Sequence, residues 1–127
     1  MWAADAVYDI DDPDEELAKL PILHQRYMDI LVVALAKKKN LIHEIDRMKR
    51  EKVDHYRGRS DNPHPVRLTA GETDTYVKSD SDFQTVDAKL EMASLTVDYV
   101  ERILRVLTSR SYDLRAIIDW RKFTSGV

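Results

Sequence analysis

The sequence has 127 residues, a net charge of −3, 34% charged and 43% hydrophobic residues, against about 25% charged in an average globular protein. This is a one-domain length, and three glycines with four prolines are no more than half the usual share of about 12%, which predicts a chain that is mostly helix. The absence of cysteine excludes disulfides, a thiol nucleophile and thiolate metal sites. The longest apolar run, residues 30–36, has seven residues, where a membrane helix needs about 20. The acidic N-terminus lacks the basic region that opens a secretory signal. These features predict a soluble, intracellular helical protein with no membrane association.

Charge is segregated along the chain. Residues 1–20 hold seven acids and one base, residues 37–59 nine bases and four acids, residues 71–101 eight acids and two bases, and residues 102–122 six bases and two acids. Basic blocks of this kind meet either a polyanion or the acidic parts of a partner chain. They also occur simply as solvated helix faces.

In chain order, residues 1–20 read as an acidic arm with a short helix. Asp12 is a candidate cap, Pro13 suits the first helical position and the acids after it favour the positive end of the dipole. Pro21 predicts a stop, because proline disfavours helix at the residue before it. A long helix follows over residues 22–56. Tyr27, Leu31, Ala34, Leu41, Ile45 and Met48 recur on one face with a single polar interruption at Lys38, and Ile30, Leu35 and Ile42 widen the stripe. Gly58 is a natural terminator. Residues 60–78 read as an irregular connection, with a small β-hairpin or extended arm favoured over residues 66–78, although Tyr76-Val77 fits a single helical turn equally well.

Ser79 is the expected cap of a second long helix, with Asp82 as the acidic half of a capping box. Phe83, Val86, Leu90, Ala93, Val97, Val100, Leu104 and Leu107 then follow at alternating spacings of three and four, an uninterrupted heptad seam. Leu95, Tyr99, Ile103 and Val106 add a second apolar flank, which points to a bundle or a subunit interface. A break at Ser109-Arg110-Ser111 predicts a separate C-terminal helix over residues 112–123. Its Trp120 and Phe123 read as packing anchors. Arg102, Arg105, Arg110 and Arg115 form either a solvated face or a second anion-binding track. The expected architecture is thus mainly α, a single domain over residues 1–127: two long helices, a short C-terminal helix, and a small irregular or hairpin connection around 62–78.

Enzymatic signatures are missing. The three glycines (Gly58, Gly71, Gly126) make no phosphate-binding loop. His24, His43, His55 and His64 have no metal-ligand spacing, and the acids of residues 9–16 lack the pattern of a calcium loop. No metal or cofactor is expected. The informative stretch is Lys49-Arg50-Glu51-Lys52-Val53-Asp54-His55-Tyr56-Arg57-Gly58-Arg59, a basic helix end entering a loop. On a helix, Lys49, Lys52 and Tyr56 share one face, while Arg50 and Arg57 share another stripe. Cations that track phosphates beside rings that stack on unpaired bases suit single-stranded nucleic acid. The bland alternative is a solvated helix end.

Three stretches carry a resemblance to a known family: Ser109-Arg110-Ser111-Tyr112 with Ala116-Ile117-Ile118-Asp119-Trp120-Arg121-Lys122-Phe123 and Gly126, Val77-Lys78-Ser79-Asp80 with Val86-Asp87, and Asp54-His55-Tyr56-Arg57-Gly58-Arg59. In this order and spacing the chain resembles the UvsY recombination mediator family of T-even-type and related marine phages, over residues 24–127. The resemblance implies a non-enzymatic protein in the cytoplasm of an infected bacterial host. It implies binding of single-stranded DNA and loading of a RecA-like phage recombinase onto strands covered by the phage single-strand-binding protein. It also implies a homo-oligomer, a ring of hexamer or heptamer size, assembled through the C-terminal helical region. The family's DNA-binding Lys-x-Arg pair falls on Arg50 and Lys52, and His55 stands where the family has a second aromatic.

The site expected from residues and resemblance together is Lys49, Arg50, Lys52, His55, Tyr56, Arg57 and Arg59 for DNA. Phe83, Val86, Leu90, Val97, Val100, Leu104, Leu107, Trp120 and Phe123 are expected to serve oligomerisation. The alternatives are a helical scaffold or phage assembly adaptor that ignores DNA, and a small nuclease or hydrolase, for which the clustered carboxylates are not apparent.

Overall fold

In the computed structural model, residues 1–58 and 68–126 are described. They form four helices and no strand: α1 (Trp2–Asp5), α2 (Pro13–Tyr56), α3 (Ala70–Ser79) and α4 (Ser81–Thr124). The mainly α class and the two long helices agree with the sequence pattern. Several local expectations do not hold.

Pro21 lies inside α2 rather than ending a helix. A proline in a helix interior removes one backbone hydrogen bond and crowds the preceding turn, at about 3 kcal/mol. Here the flanking turns are fastened by burial: Leu20 is in a hydrophobic core and Leu17 and Leu23 pack against it, while Pro21 itself faces outward. Fully burying a leucine contributes about 1.5–3 kcal/mol, so Leu20 together with the partly buried Leu17 and Leu23 offsets the proline.

The break at Ser109-Arg110-Ser111 is likewise absent. Leu107, Arg110 and Leu114 are all buried, in step with Val100 and Ile103 at alternating spacings of three and four rather than with Leu104. An arginine occupies a seam position, which hides the continuity from a hydrophobicity pattern. The Ser111 hydroxyl donates to the Thr108 carbonyl at 2.7 Å, so the serine is satisfied within the helix.

The hairpin expected over residues 66–78 is overturned from residue 70 onward, where α3 forms. Thr69 caps it, its hydroxyl accepting from the Glu72 amide at 3.3 Å. Thr73 and Val77, four apart, are the helix's buried side. The alternation that suggested a strand was too short to separate period two from one helical turn. Arg59 and residues 60–67 lie outside the described residues.

The chain divides into two compact units, Met1–Val33 with Val97–Val127, and Ala34–Thr96. In the first, Leu20, Tyr27, Val100, Ile103, Leu107 and Leu114 form the core. In the second, Leu41, Val86 and Ala93 form a core flanked by Ile45, Met48 and Leu90. The heptad seam read from the sequence is therefore used inside the chain. Val86, Ala93, Val97, Val100 and Leu107 are all buried, and Phe83, Leu90 and Leu104 are half-buried.

The acidic N-terminal stretch is packed in the first unit instead of extending as an arm. The Trp2 ring meets Tyr27 edge-on at 5.7 Å. The Asp5 carboxylate accepts from the Tyr27 hydroxyl at 2.7 Å and from Arg26 at 3.1 Å. Burial first, and then the bond to Asp5, push the Tyr27 phenol up to about 12. The organising group is Arg110. It is 3% exposed, so it is neither a solvated residue nor part of an anion-binding track. Its Nη2 donates to the carbonyls of Asp5 and Ala6 at 2.9 and 3.1 Å, and its guanidinium lies 4.4 Å from the centre of the Tyr8 ring. Arg121 repeats the arrangement, donating to the Ile10 and Asp11 carbonyls at 2.9 Å each. A guanidinium that bonds two successive carbonyls fixes a segment that lacks regular hydrogen bonds of its own.

Replacing Arg110 by alanine should lower unfolding free energy by about 2–4 kcal/mol, since it removes a buried charged donor and strands two carbonyls. Lysine should recover little of this, because an ammonium lacks the planar guanidinium that lies against the Tyr8 ring while one of its nitrogens reaches both carbonyls. Urea unfolding reads the loss, and hydrogen exchange should place the lost protection in residues 2–11.

Candidate nucleic-acid interface

The basic stretch occupies the last turns of α2, in the second unit. Its side chains divide by face, as the spacing predicts. Arg50 and Arg57 are exposed, and no ion pair among the described residues holds either. Lys49 is also exposed and borders a hollow of about 360 Å³ with Asp74, Val77, Lys78, Phe83, Gln84 and Asp87. Exposed Arg47, outside the expected site, extends the basic face one turn toward the N-terminus. It lines an open hollow together with His43, Asp46, Arg50 and Val53.

Lys52 and Tyr56 point elsewhere, toward the junction of α3 and α4. The Lys52 ammonium lies 3.3 Å from an Asp80 carboxylate oxygen and 3.1 Å from one of Asp82. The Tyr56 hydroxyl donates to Asp80 at 2.8 Å, and its ring sits 5.5 Å from Tyr76 and 4.9 Å from His55. Two of the residues expected to contact DNA are thus joined to the protein's own acids. Tyr56 is half-buried and Tyr76 is the more exposed ring of the pair.

Asp80 was not anticipated, and it holds this corner together. Its amide donates to the Val77 carbonyl at 3.1 Å and closes α3. One carboxylate oxygen then accepts from the Asp82 and Phe83 amides at 3.0 and 3.2 Å and opens α4. The expected cap, Ser79, is instead the last residue of α3. Asp80 and Ser79 are both good capping types one position apart, and only the end of α3 decides between them.

Ionisation follows from these contacts. Burial pushes the Asp80 carboxyl up, but the bonds from Tyr56, the Phe83 amide and Lys52 together outweigh it and bring the group below the ordinary carboxylate range. The bond to Asp82 raises Lys52, against burial, with Asp80 adding to the rise. Tyr56 is raised by its bond to Asp80 and then by burial. Among the described residues, no group of acids and histidines is arranged to hold a metal ion, and no helix is long and apolar enough to cross a membrane.

The seam residues expected at a subunit interface are accounted for within the chain, whereas Trp120 and Phe123 are 65% and 77% exposed. Their rings stack at 5.9 Å. Leu95, Tyr99 and Val106, of the second flank, are exposed as well, and Ile103 is buried.

Across residues 1–127 the chain matches the family model described as recombination, repair and ssDNA binding protein UvsY. The chain belongs to the UvsY family. The match includes the acidic N-terminal stretch, to which the resemblance in sequence did not extend. Three crystal structures of the bacteriophage T4 recombination mediator protein UvsY, in different lattices, share the UvsY fold with it. One has a TM-score of 0.88 at 22% identity, covering 95% of this chain and 92% of that one. A second has a TM-score of 0.88 at 21% identity, covering 96% and 94%. The third reaches 0.90 at 21% identity, covering 97% and 91%. No curated protein matches.

Because the folded Asp80 carboxyl titrates below its unfolded value, its contribution is complete above the ordinary aspartate range and is lost as pH falls through the folded value. Asp80→Asn should therefore be destabilised relative to wild type at pH 7, by about 1–3 kcal/mol for a weakened cap and a lost charged acceptor. The gap should narrow steadily as pH is lowered toward 3. Urea titrations of both proteins across that range measure it, and a gap independent of pH would show that Asp80 acts without its charge.

Proposed function

We propose that the protein is a recombination mediator that binds single-stranded DNA through the basic end of α2. It promotes loading of a RecA-like phage recombinase onto strands covered by single-strand-binding protein, in recombination, repair and recombination-dependent replication. It does so without catalysis or cofactor. The observation that carries the reading is the exposed pair Arg50 and Arg57 on the final turns of α2, in a chain matching a family described by ssDNA binding over its whole length.

Lys49, Arg50 and Arg57 supply phosphate contacts, with Arg59 and His55 adding to the same end. Lys52, part of which is open to solvent, adds a further phosphate contact while it stays paired with Asp80. Tyr56 stabilises the corner and offers a ring edge for base contact. Cation and ring contacts of this kind give affinity without sequence preference, as a mediator that acts on any strand requires. A single copy of so short a basic segment binds weakly. Several copies on one assembly act at high effective concentration and bind strongly in sum.

The assembly is a homo-oligomer, a ring of hexamer or heptamer size. Because the heptad residues are spent on internal packing, the subunit contacts fall to the apolar side chains left outside: Trp120 and Phe123 near the C-terminus, and Tyr99 and Val106 further up α4. Exposed aromatic residues of this kind are what interfaces cover. Phe83, Val86, Leu90, Val97, Val100, Leu104 and Leu107 support that assembly indirectly, by holding the helix that presents them.

Changing Arg50 and Lys52 together to alanine should weaken binding of a labelled oligo-dT and lower the slope of log affinity against log salt by roughly 0.7 for each lost phosphate contact. Fluorescence anisotropy at several salt concentrations, with a matched duplex as competitor, measures both. Unchanged affinity with an unchanged slope would remove the basic end of α2 from the DNA site.

A further inference from the structure

Lys52 already bridges two anions, and the two are held very differently. Asp80 is fixed: its side chain is 10% exposed, and it is bound by the Tyr56 hydroxyl and by two backbone amides at the start of α4. Asp82 is 72% exposed, and among the described residues its carboxylate is held by Lys52 alone. The Lys52 side chain is itself 23% exposed, so part of it remains open to solvent.

We propose that Asp82 is a built-in competitor for DNA at Lys52, and that binding exchanges its carboxylate for one phosphate of the strand. The proposal rests on the reading of the basic end of α2 as the DNA site, and adds a regulating residue to it. Asp80 keeps Lys52 in position throughout, because its own bonds, to the Tyr56 hydroxyl and two backbone amides, do not depend on the Asp82 side chain. A phosphate oxygen in the place of the Asp82 carboxylate gives Lys52 the same pair of anionic partners as before, so the lysine does not have to rearrange. Exposed ion pairs are weak and salt-screened, so Asp82 yields readily where phosphate is concentrated, along a strand held by Arg50 and Arg57. Away from DNA it keeps Lys52 neutralised and lowers attraction to stray anions. Asp82 is on the second residue of α4, and asparagine there leaves the Asp80 cap untouched, so the variant tests the charge and not the fold.

The test is a double-mutant cycle on oligo-dT binding by the full chain, with Asp82→Asn, Lys52→Ala and both together, read by anisotropy across salt concentrations. Arg50→Ala reports independently on the site, and Asp74→Asn controls for adding one positive charge to the same unit, since Asp74 pairs with Lys78 at 3.0 Å. Asp82→Asn should bind about two- to fivefold more tightly at low salt, with a salt slope steeper by up to roughly 0.7 per site. In the Lys52→Ala background it should gain no more than Asp74→Asn does, and Asp74→Asn should give a smaller gain that survives loss of Lys52. If Asp82→Asn gains equally with and without Lys52, the effect is general charge and the exchange is overturned. If it gains nothing while Arg50→Ala still loses affinity, the exchange fails but the DNA site stands. If Arg50→Ala also loses nothing, the DNA site itself is misassigned and the exchange falls with it.

Discussion

One carboxylate, that of Asp80, ties the basic end of α2 to the two helices beside it. A half-buried carboxylate has several lone pairs to satisfy, and each unmet one is expensive. Here they are met by the first amides of α4, by the Tyr56 hydroxyl and by the Lys52 ammonium. The backbone of the same residue closes α3. The direction in which α4 leaves α3, the position of Tyr56 and the side of α2 on which Lys52 lies are therefore one set of constraints. The division of the basic cluster follows from it. Residues on the Asp80 side are committed to internal partners, and those a third of a turn away, Arg50 and Arg57, are left to solvent.

The first unit is organised by a different charge in a similar way. Arg110 replaces the hydrocarbon expected at a seam position and reaches carbonyls of a segment with few regular bonds of its own. Its buried Nε has no partner among the described residues, a penalty of about 1–3 kcal/mol that the two charged hydrogen bonds and the Tyr8 ring offset. A leucine there would pack as well against Leu107 and Leu114 but would leave residues 2–11 without an anchor. The arginine is what makes the acidic N-terminal stretch part of a folded unit.

The sequence made the long helices legible because their apolar spacing is set by burial along one face. Tyr27, Ala34 and Leu41, and Val86, Ala93, Val97, Val100 and Leu107, were read as a seam and are buried. It was misleading wherever a local signal competed with a non-local one. Pro21 signals a stop, but neighbouring leucines in the core carry the helix through it. Ser109-Arg110-Ser111 reads as polar punctuation because nothing nearby in sequence shows that Arg110 has carbonyl partners more than 100 residues away. The basic end of α2 was visible as composition, and its two faces as helical spacing. That Lys52 and Tyr56 are held by Asp80 was not visible, since the pairing joins residues 24 to 30 apart through a connection with no periodic pattern.

A site in which one cation is pre-paired differs physically from a bare basic patch. On a bare patch every contact adds a favourable ion pair and releases counterions from the strand, so affinity climbs with each lysine. With Lys52 pre-paired, part of that gain is returned when the Asp82 carboxylate goes back to solvent and attracts a counterion of its own. The net driving force per site is smaller, and so is its salt dependence. A protein that must take hold of a strand and then surrender it to another gains from sites that are individually weak and quickly reversed, provided that several act together. Strong binding at each site would trap the strand, whereas many weak contacts let it be released one site at a time. In the proposed site the acidic residues at the start of α4 act together with the arginines, because they set how firmly each copy holds.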